Sequence, residues 1–187
     1  MKKRNEQVKK KKHIMRTLLV MMMLLGVGIL YLRVFPLEYV GIIDKYSNEF
    51  GVDNHLIYAV IHTESRFDSE ALSPAGAVGL MQVTEETGQF IAKKLEIADF
   101  KVEDLQDPET NIKMGTYYLS YLQTMFEREE TVLAAYNAGP NRVKTWLLDP
   151  AYATGDVLTN IPFKETKDYV DRVLLREKIY KILYFFK

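Results

Sequence analysis

The chain has 187 residues, 48% hydrophobic and 27% charged, which suits one globular domain plus an accessory segment. It has no cysteine, which excludes disulfides, thiolate metal sites and a lipidated N-terminal Cys. The 25 basic and 25 acidic residues cancel overall, but eight basic residues and a single acid, Glu6, fall in residues 1–16, leaving 17 basic against 24 acidic residues in the remainder.

A basic arm over 1–16 would by itself fit nucleic acid, but an apolar run follows it at once and the pair reads as membrane topology. That run, Thr17 to Leu32, is 16 residues without a charge, slightly short of the ~20 that span a bilayer core. Arg16 and Arg33 can snorkel, and Val34 and Phe35 extend the stretch, so residues 17–35 are expected to form a transmembrane signal anchor. A cleaved signal peptide has the same basic and apolar regions, but the only small-x-small candidate, Gly26-Val27-Gly28, lies inside the apolar run. The positive-inside rule then keeps the arm cytoplasmic and places residues 38–187 outside, as a single-pass protein with its domain near the cell membrane.

Glu38 to Phe50 repeats Val40, Ile43, Tyr46 and Phe50 at helical spacing, with Gly51 as its stop and Asp53 placed to cap the next helix. In that helix Ile57, Val60, Ile61 and Glu64 share one stripe, so an acid stands where an apolar residue is expected. Desolvation and the negative end of the helix both favour its protonated form, as a general acid requires. A stripe-edge glutamate whose head reaches water fits the pattern equally well. His55 and His62 read as polar-face histidines, since no metal-ligand motif accompanies them.

Arg66 to Gly79 breaks into a loop around Ser73-Pro74, Gly76 and Gly79, and Leu80-Met81-Gln82 returns it inward as a candidate cleft floor. Thr84 with Glu85 and Glu86 predicts a helix over 85–96, and Asp107-Pro108 opens another to about Phe126. There Tyr117, Tyr118 and Tyr121 are expected to pack, and Gly115 to permit a close helix crossing. A short helix over 131–137 ends at Ala138-Gly139-Pro140, which leaves Tyr136 and Asn137 at its tip; Trp146 follows on a short helix, as core. Residues 149–163 read as a loop. From Glu165 to Phe186 a long helix returns, its terminal aromatics Tyr184, Phe185 and Phe186 packing on the domain. The pattern is all-α, without repeats, phosphate-cradling loop or nucleic-acid motif.

Four ordered blocks, ESRFDSEALSPAGAVGLMQVT from Glu64, DPETNIKMGTYYLSYL from Asp107, LAAYNAGPNRV from Leu133 and IPFKETKDYVDRV from Ile161, resemble the soluble lytic transglycosylase family over roughly residues 38–184. Thr84 stands where family members often have proline. The resemblance implies a lysozyme-like, SLT-type helical domain that cuts bacterial peptidoglycan, with Glu64 as sole catalytic acid and base. It also implies that Ser73 and Gln82 line the sugar groove, that Tyr136 and Asn137 flank the acid, and that Glu165 and Tyr169 lie near the cleft. The reaction implied leaves 1,6-anhydromuramic ends and needs no metal and no organic cofactor. A lysozyme-type hydrolase of the same bond, and a non-catalytic wall-binding or assembly protein, remain as alternatives. Recruitment by a larger envelope assembly is left open.

Overall fold

The structure, a computed structural model, describes residues 2–185, with side chains from residue 11 onward. It divides into two compact units, residues 1–37 and 38–187. The first is one helix, α1 (Lys2–Val34), of 33 residues. Its Lys11–Val34 portion is long and apolar enough to cross a membrane, and side chains such as Leu18, Met22, Leu25 and Ile29 are exposed along it.

The second unit is nearly all helical. Its helices are α2 (Val40–Phe50), α3 (Asn54–Glu64), α4 (Glu85–Lys94), α5 (Pro108–Met125), α6 (Glu129–Ala138), α7 (Pro140–Leu147) and α8 (Lys164–Leu183), with a 3₁₀ turn at Val102–Gln106. The expected caps are present. Asp53 Oδ1 accepts the His55 N–H at 2.8 Å, Asp107 Oδ2 that of Thr110 at 2.8 Å with Pro108 opening α5, and Thr84 Oγ1 that of Thr87 at 3.3 Å. The Thr84 cap opens α4 as expected.

The core gathers around α3, which is buried continuously from Leu56 to His62. This corrects the amphipathic reading of that helix. Its expected polar face is covered by α8, whose Tyr180 stacks on Tyr58 at 5.3 Å and meets the His62 ring edge-on at 6.0 Å. His62 is therefore an interior residue, its Nδ1 3.3 Å from the Tyr180 hydroxyl, and burial pushes its pKa down to about 4. It stays neutral at physiological pH.

Two further expectations change. Residues 149–163 are not simply a loop: β1 (Ala153–Thr154) pairs antiparallel with β2 (Val157–Leu158), strands too short to show a two-residue period in sequence. At the C-terminus Tyr184 stacks on Tyr180 at 5.9 Å, whereas Phe185 is 75% exposed; Phe186 lies outside the described residues. Trp146 is buried as expected, edge-on to Phe163 at 5.3 Å.

Candidate active site

Glu64 is the last residue of α3. The chain leaves it abruptly, because Arg66 and Phe67 both take left-handed backbone conformations (φ 55° and 69°), each at a cost of roughly 1–3 kcal/mol. The carboxyl is crowded by protein while its residue keeps a partial opening to solvent. Burial raises its pKa to about 7, against the opposing pull of the Tyr169 hydroxyl and the Arg172 guanidinium. A carboxyl that still holds its proton near neutrality and touches water is suited to proton donation.

The loop after Glu64 is held by main-chain pairing and one buried amide. Val78 bridges both Leu72 and Val83. Asn111, wholly buried on α5, accepts the Met81 N–H on Oδ1 at 2.8 Å and donates from Nδ2 to the Val78 and Leu105 carbonyls at 2.9 and 2.8 Å. Gly79 (φ 76°) makes room for that amide, since a Cβ there would stand 2.3 Å from Asn111 Nδ2. Gly115 does the same for Met81, whose Sδ would lie 2.5 Å from an added Cβ. The close approach expected at Gly115 is thus to this loop, not to a crossing helix.

The loop residues expected to meet sugar are partly engaged already. Gln82, itself left-handed (φ 49°), donates from Nε2 to the Ala71 and Gly79 carbonyls at 3.0 and 2.9 Å. Its Oε1 remains as acceptor. Ser73 Oγ accepts the Ala77 N–H at 3.0 Å and sits in a partly exposed turn, where its hydroxyl proton can still be donated.

Two tyrosines converge on Glu64 from different helices. Tyr136, near the tip of α6, donates its hydroxyl to the Met81 carbonyl at 2.8 Å and packs on Tyr118 with ring centroids 5.5 Å apart. Burial first, and the charge of Glu64 second, push its pKa well above the usual phenol value. Tyr169 of α8 is 2% exposed and its hydroxyl has no partner at ordinary hydrogen-bond distance, yet it lies near enough to Glu64 for each to bias the other's charge. Asn137 is exposed at the end of α6. Glu165 is exposed in the first turn of α8, four residues before Tyr169 and so one turn away on the same face. The structure thus sets Tyr136 and Tyr169 within electrostatic reach of Glu64, ties Gln82 to Tyr136 through the Met81 main chain, and shows among the described residues no hydrogen bond from Ser73, Asn137 or Glu165 to the acid.

Sequence reasoning missed Arg172 and Asn111. The first had a signal, three residues after Tyr169 on one helix; the second had none, because its partners lie up to 33 residues away. Tyr118 and Tyr121, expected to pack, also line a cavity of about 750 Å³ together with Glu86, Phe90, Arg142 and Trp146. Glu64 is not in its wall. The cavity meets the acid's surroundings through the Tyr118–Tyr136 ring contact. Among the described residues no cluster of three His, Cys, Asp or Glu is placed to hold a metal ion.

The family model described as "Transglycosylase SLT domain" matches residues 41–157. The soluble lytic murein transglycosylase of Escherichia coli (strain K12) is 37% identical over 151 residues, covering 79% of this chain and 23% of that protein. Membrane-bound lytic murein transglycosylase C of Klebsiella pneumoniae (strain 342) is 30% identical over 167 residues, covering 77% of this chain and 46% of that protein. Among solved structures, the 70 kDa soluble lytic transglycosylase from Escherichia coli superposes with a TM-score of 0.72 at 35% identity, over 80% of this chain and 25% of that one. The chain therefore spans about a quarter of the length of its soluble relatives and about half that of the membrane-bound one.

Proposed function

Because the chain belongs to the transglycosylase SLT domain family, we propose that residues 38–187 cleave the β-1,4 bond between N-acetylmuramic acid and N-acetylglucosamine in peptidoglycan and leave 1,6-anhydromuramic ends. The observation that supports this best is the Glu64 carboxyl, held by burial with a pKa of about 7 and acted on by Tyr169 and Arg172 but by no second carboxylate among the described residues. Glycosidases that use water need two such groups.

A single carboxyl suffices when the sugar supplies its own nucleophile. Protonated Glu64 donates to the glycosidic oxygen as the bond from C1 breaks, and C1 takes on oxocarbenium character. The ionised carboxylate is stabilised at that moment by Arg172 and by the Tyr169 hydroxyl, whose proton has no other acceptor. The 6-hydroxyl of the same muramic residue then attacks C1 and returns its proton to Glu64, closing the anhydro ring. Intramolecular attack gains from proximity and consumes no water. The cavity beside Tyr118 offers aromatic faces, and Gln82 Oε1 an acceptor, for glycan on either side of the broken bond.

We read the basic arm and α1 as a membrane anchor that keeps the arm inward and the catalytic domain on the wall side, a reading supported by the length and apolarity of Lys11–Val34 and by the basic residues before it. The test is incubation of the full chain, in detergent, with purified peptidoglycan and mass spectrometry of the released muropeptides, with Glu64→Gln in parallel. Products one water lighter than hydrolytic fragments, absent with Glu64→Gln, are the expected result. Reducing-end products make the enzyme a hydrolase, and no products from folded protein leave a glycan-binding role.

A further inference from the structure

The cavity beside Tyr118 carries charges that sugars cannot use. Its aromatic lining is a ladder of rings: Phe90 meets Tyr121 with centroids 5.0 Å apart, and Tyr121 stacks on Tyr118 at 6.5 Å. Tyr118 continues the ladder to Tyr136 at 5.5 Å, and the Tyr136 hydroxyl donates to the Met81 carbonyl in the loop that follows Glu64. Charges of both signs line the same cavity, Glu86 from the first turn of α4 and Arg142 and Lys144 from α7. All three are exposed, and none is in an ion pair among the described residues.

Arg142 is nonetheless held in place. Its guanidinium carbon lies 5.2 Å from the centroid of the Phe163 ring, Phe163 meets Trp146 edge-on at 5.3 Å, and Trp146 is itself part of the cavity wall. A planar fork fixed in this way is set to take a carboxylate through two parallel hydrogen bonds.

The glycan offers no such group. N-acetylglucosamine is neutral, and the lactyl carboxyl of N-acetylmuramic acid is spent in the amide bond to the peptide it carries. The charges of a peptidoglycan strand sit on those peptides, as carboxylates and, wherever the diamino acid is not crosslinked, as a free amine. A peptide of about four residues extends roughly 13 Å from its sugar, long enough to pass the Tyr118–Tyr136 contact from the Met81–Gln82 loop.

We propose that this cavity is a subsite for the stem peptide: Arg142, with Lys144 beside it, pairs with a peptide carboxylate, and Glu86 takes the free amine of the diamino acid. The rings between them carry the uncharged part of the chain. The protein then selects strands that bear uncrosslinked peptides over bare glycan. The proposal rests on the reading of peptidoglycan as the substrate.

The experiment compares soluble, uncrosslinked glycan strands that keep their peptides with the same strands stripped by an amidase. Stripping bares a lactyl carboxylate, so strands whose peptide amines have been acetylated serve as a second comparison in which only the amine changes. The full chain in detergent is assayed for kcat/KM by mass spectrometry of the released sugars, and Glu64→Gln protein for binding to the same strands. Each partly solvated ion pair is worth about threefold, so the wild type is expected to favour peptide-bearing over stripped strands by about tenfold. Arg142→Gln is expected to lower that ratio about threefold, with Arg142→Lys in between. Glu86→Gln is expected to lower it about threefold with free amines and to add nothing once the amines are acetylated. Equal kcat/KM on peptide-bearing and stripped strands in the wild type overturns the proposal. So does a loss in Arg142→Gln of the same size on both, which is what a disturbed fold produces, or a loss in Glu86→Gln that persists on acetylated strands. If no strand is cut, the binding arm decides. A preference of Glu64→Gln protein for peptide-bearing strands that added Arg142→Gln removes upholds the subsite while the cleavage reading fails, and equal binding of both strands overturns it.

Discussion

Replacing Glu64 by Gln is expected to stabilise the folded protein, and only at high pH. In the unfolded chain the carboxyl titrates near its ordinary 4.5, whereas in the fold burial holds it at about 7. Between those values the unfolded state has released the proton that the folded state still keeps. Stability therefore falls as pH rises from about 4.5 to 7 and stays lower above it. At 1.36 kcal/mol per pH unit the loss is about 3 kcal/mol, which the partial opening to solvent trims to about 2 kcal/mol. Glutamine has the shape of the protonated acid and no charge to bury, so it escapes the whole loss. Urea denaturation of both proteins at pH 4, 6 and 8 reads the difference: near zero at pH 4, intermediate at pH 6, about 2 kcal/mol in favour of Glu64→Gln at pH 8, or roughly 4–8 °C in melting temperature. Protonation of His62 affects both proteins alike and cancels. Equal stability at pH 8, or a constant offset at all three values, refutes the argument that burial sets the proton on Glu64.

Gly79→Ala is expected to cost about 3–5 kcal/mol, because its Cβ meets Asn111 Nδ2 and the Leu105 carbonyl at 2.3 and 2.6 Å on a left-handed backbone. Gly76→Ala, equally left-handed but facing open space, is expected to cost only about 1 kcal/mol, and equal melting temperatures for the two refute the contact argument. Glu129 has a pKa raised to about 7 by burial and then by its hydrogen bond to Glu177, itself held 2.5 Å from Lys181 Nζ. With the folded pKa raised, Glu129→Gln is expected to gain about 1 kcal/mol at pH 8 and nothing at pH 4, by the same urea assay. Glycan affinity of Glu64→Gln protein is expected to vary little between low and physiological salt, since residues 17–187 carry 24 acids against 17 bases and are not steered toward anionic polymer by net charge. A steep fall in a pull-down with insoluble peptidoglycan refutes it.

How much of this was legible depended on whether a signal was local. The caps at Asp53, Thr84 and Asp107 and the acid on the stripe of α3 are readable because each is fixed by residues within one or two turns. His62 was misplaced because a helix enclosed by a partner 118 residues away looks amphipathic in isolation. The contacts that hold Met81 were illegible for the same reason: Tyr136 reaches it across 55 residues and Asn111 across 30. The β1–β2 hairpin escaped notice for a different reason, since two residues per strand carry no periodicity.

Helix α8 runs beside α3 in the opposite direction, with Tyr169 and Arg172 serving the end that carries Glu64 and Lys181 reaching Asp53 at the other, 3.4 Å away. Among the described helices it comes last in chain order. A chain cut short before residue 164 carries the acid but lacks the wall that keeps it dry, and α3 is left with an uncovered side rather than a finished core. The raised pKa of Glu64 and the closed core around α3 therefore arise together, because one helix completes both.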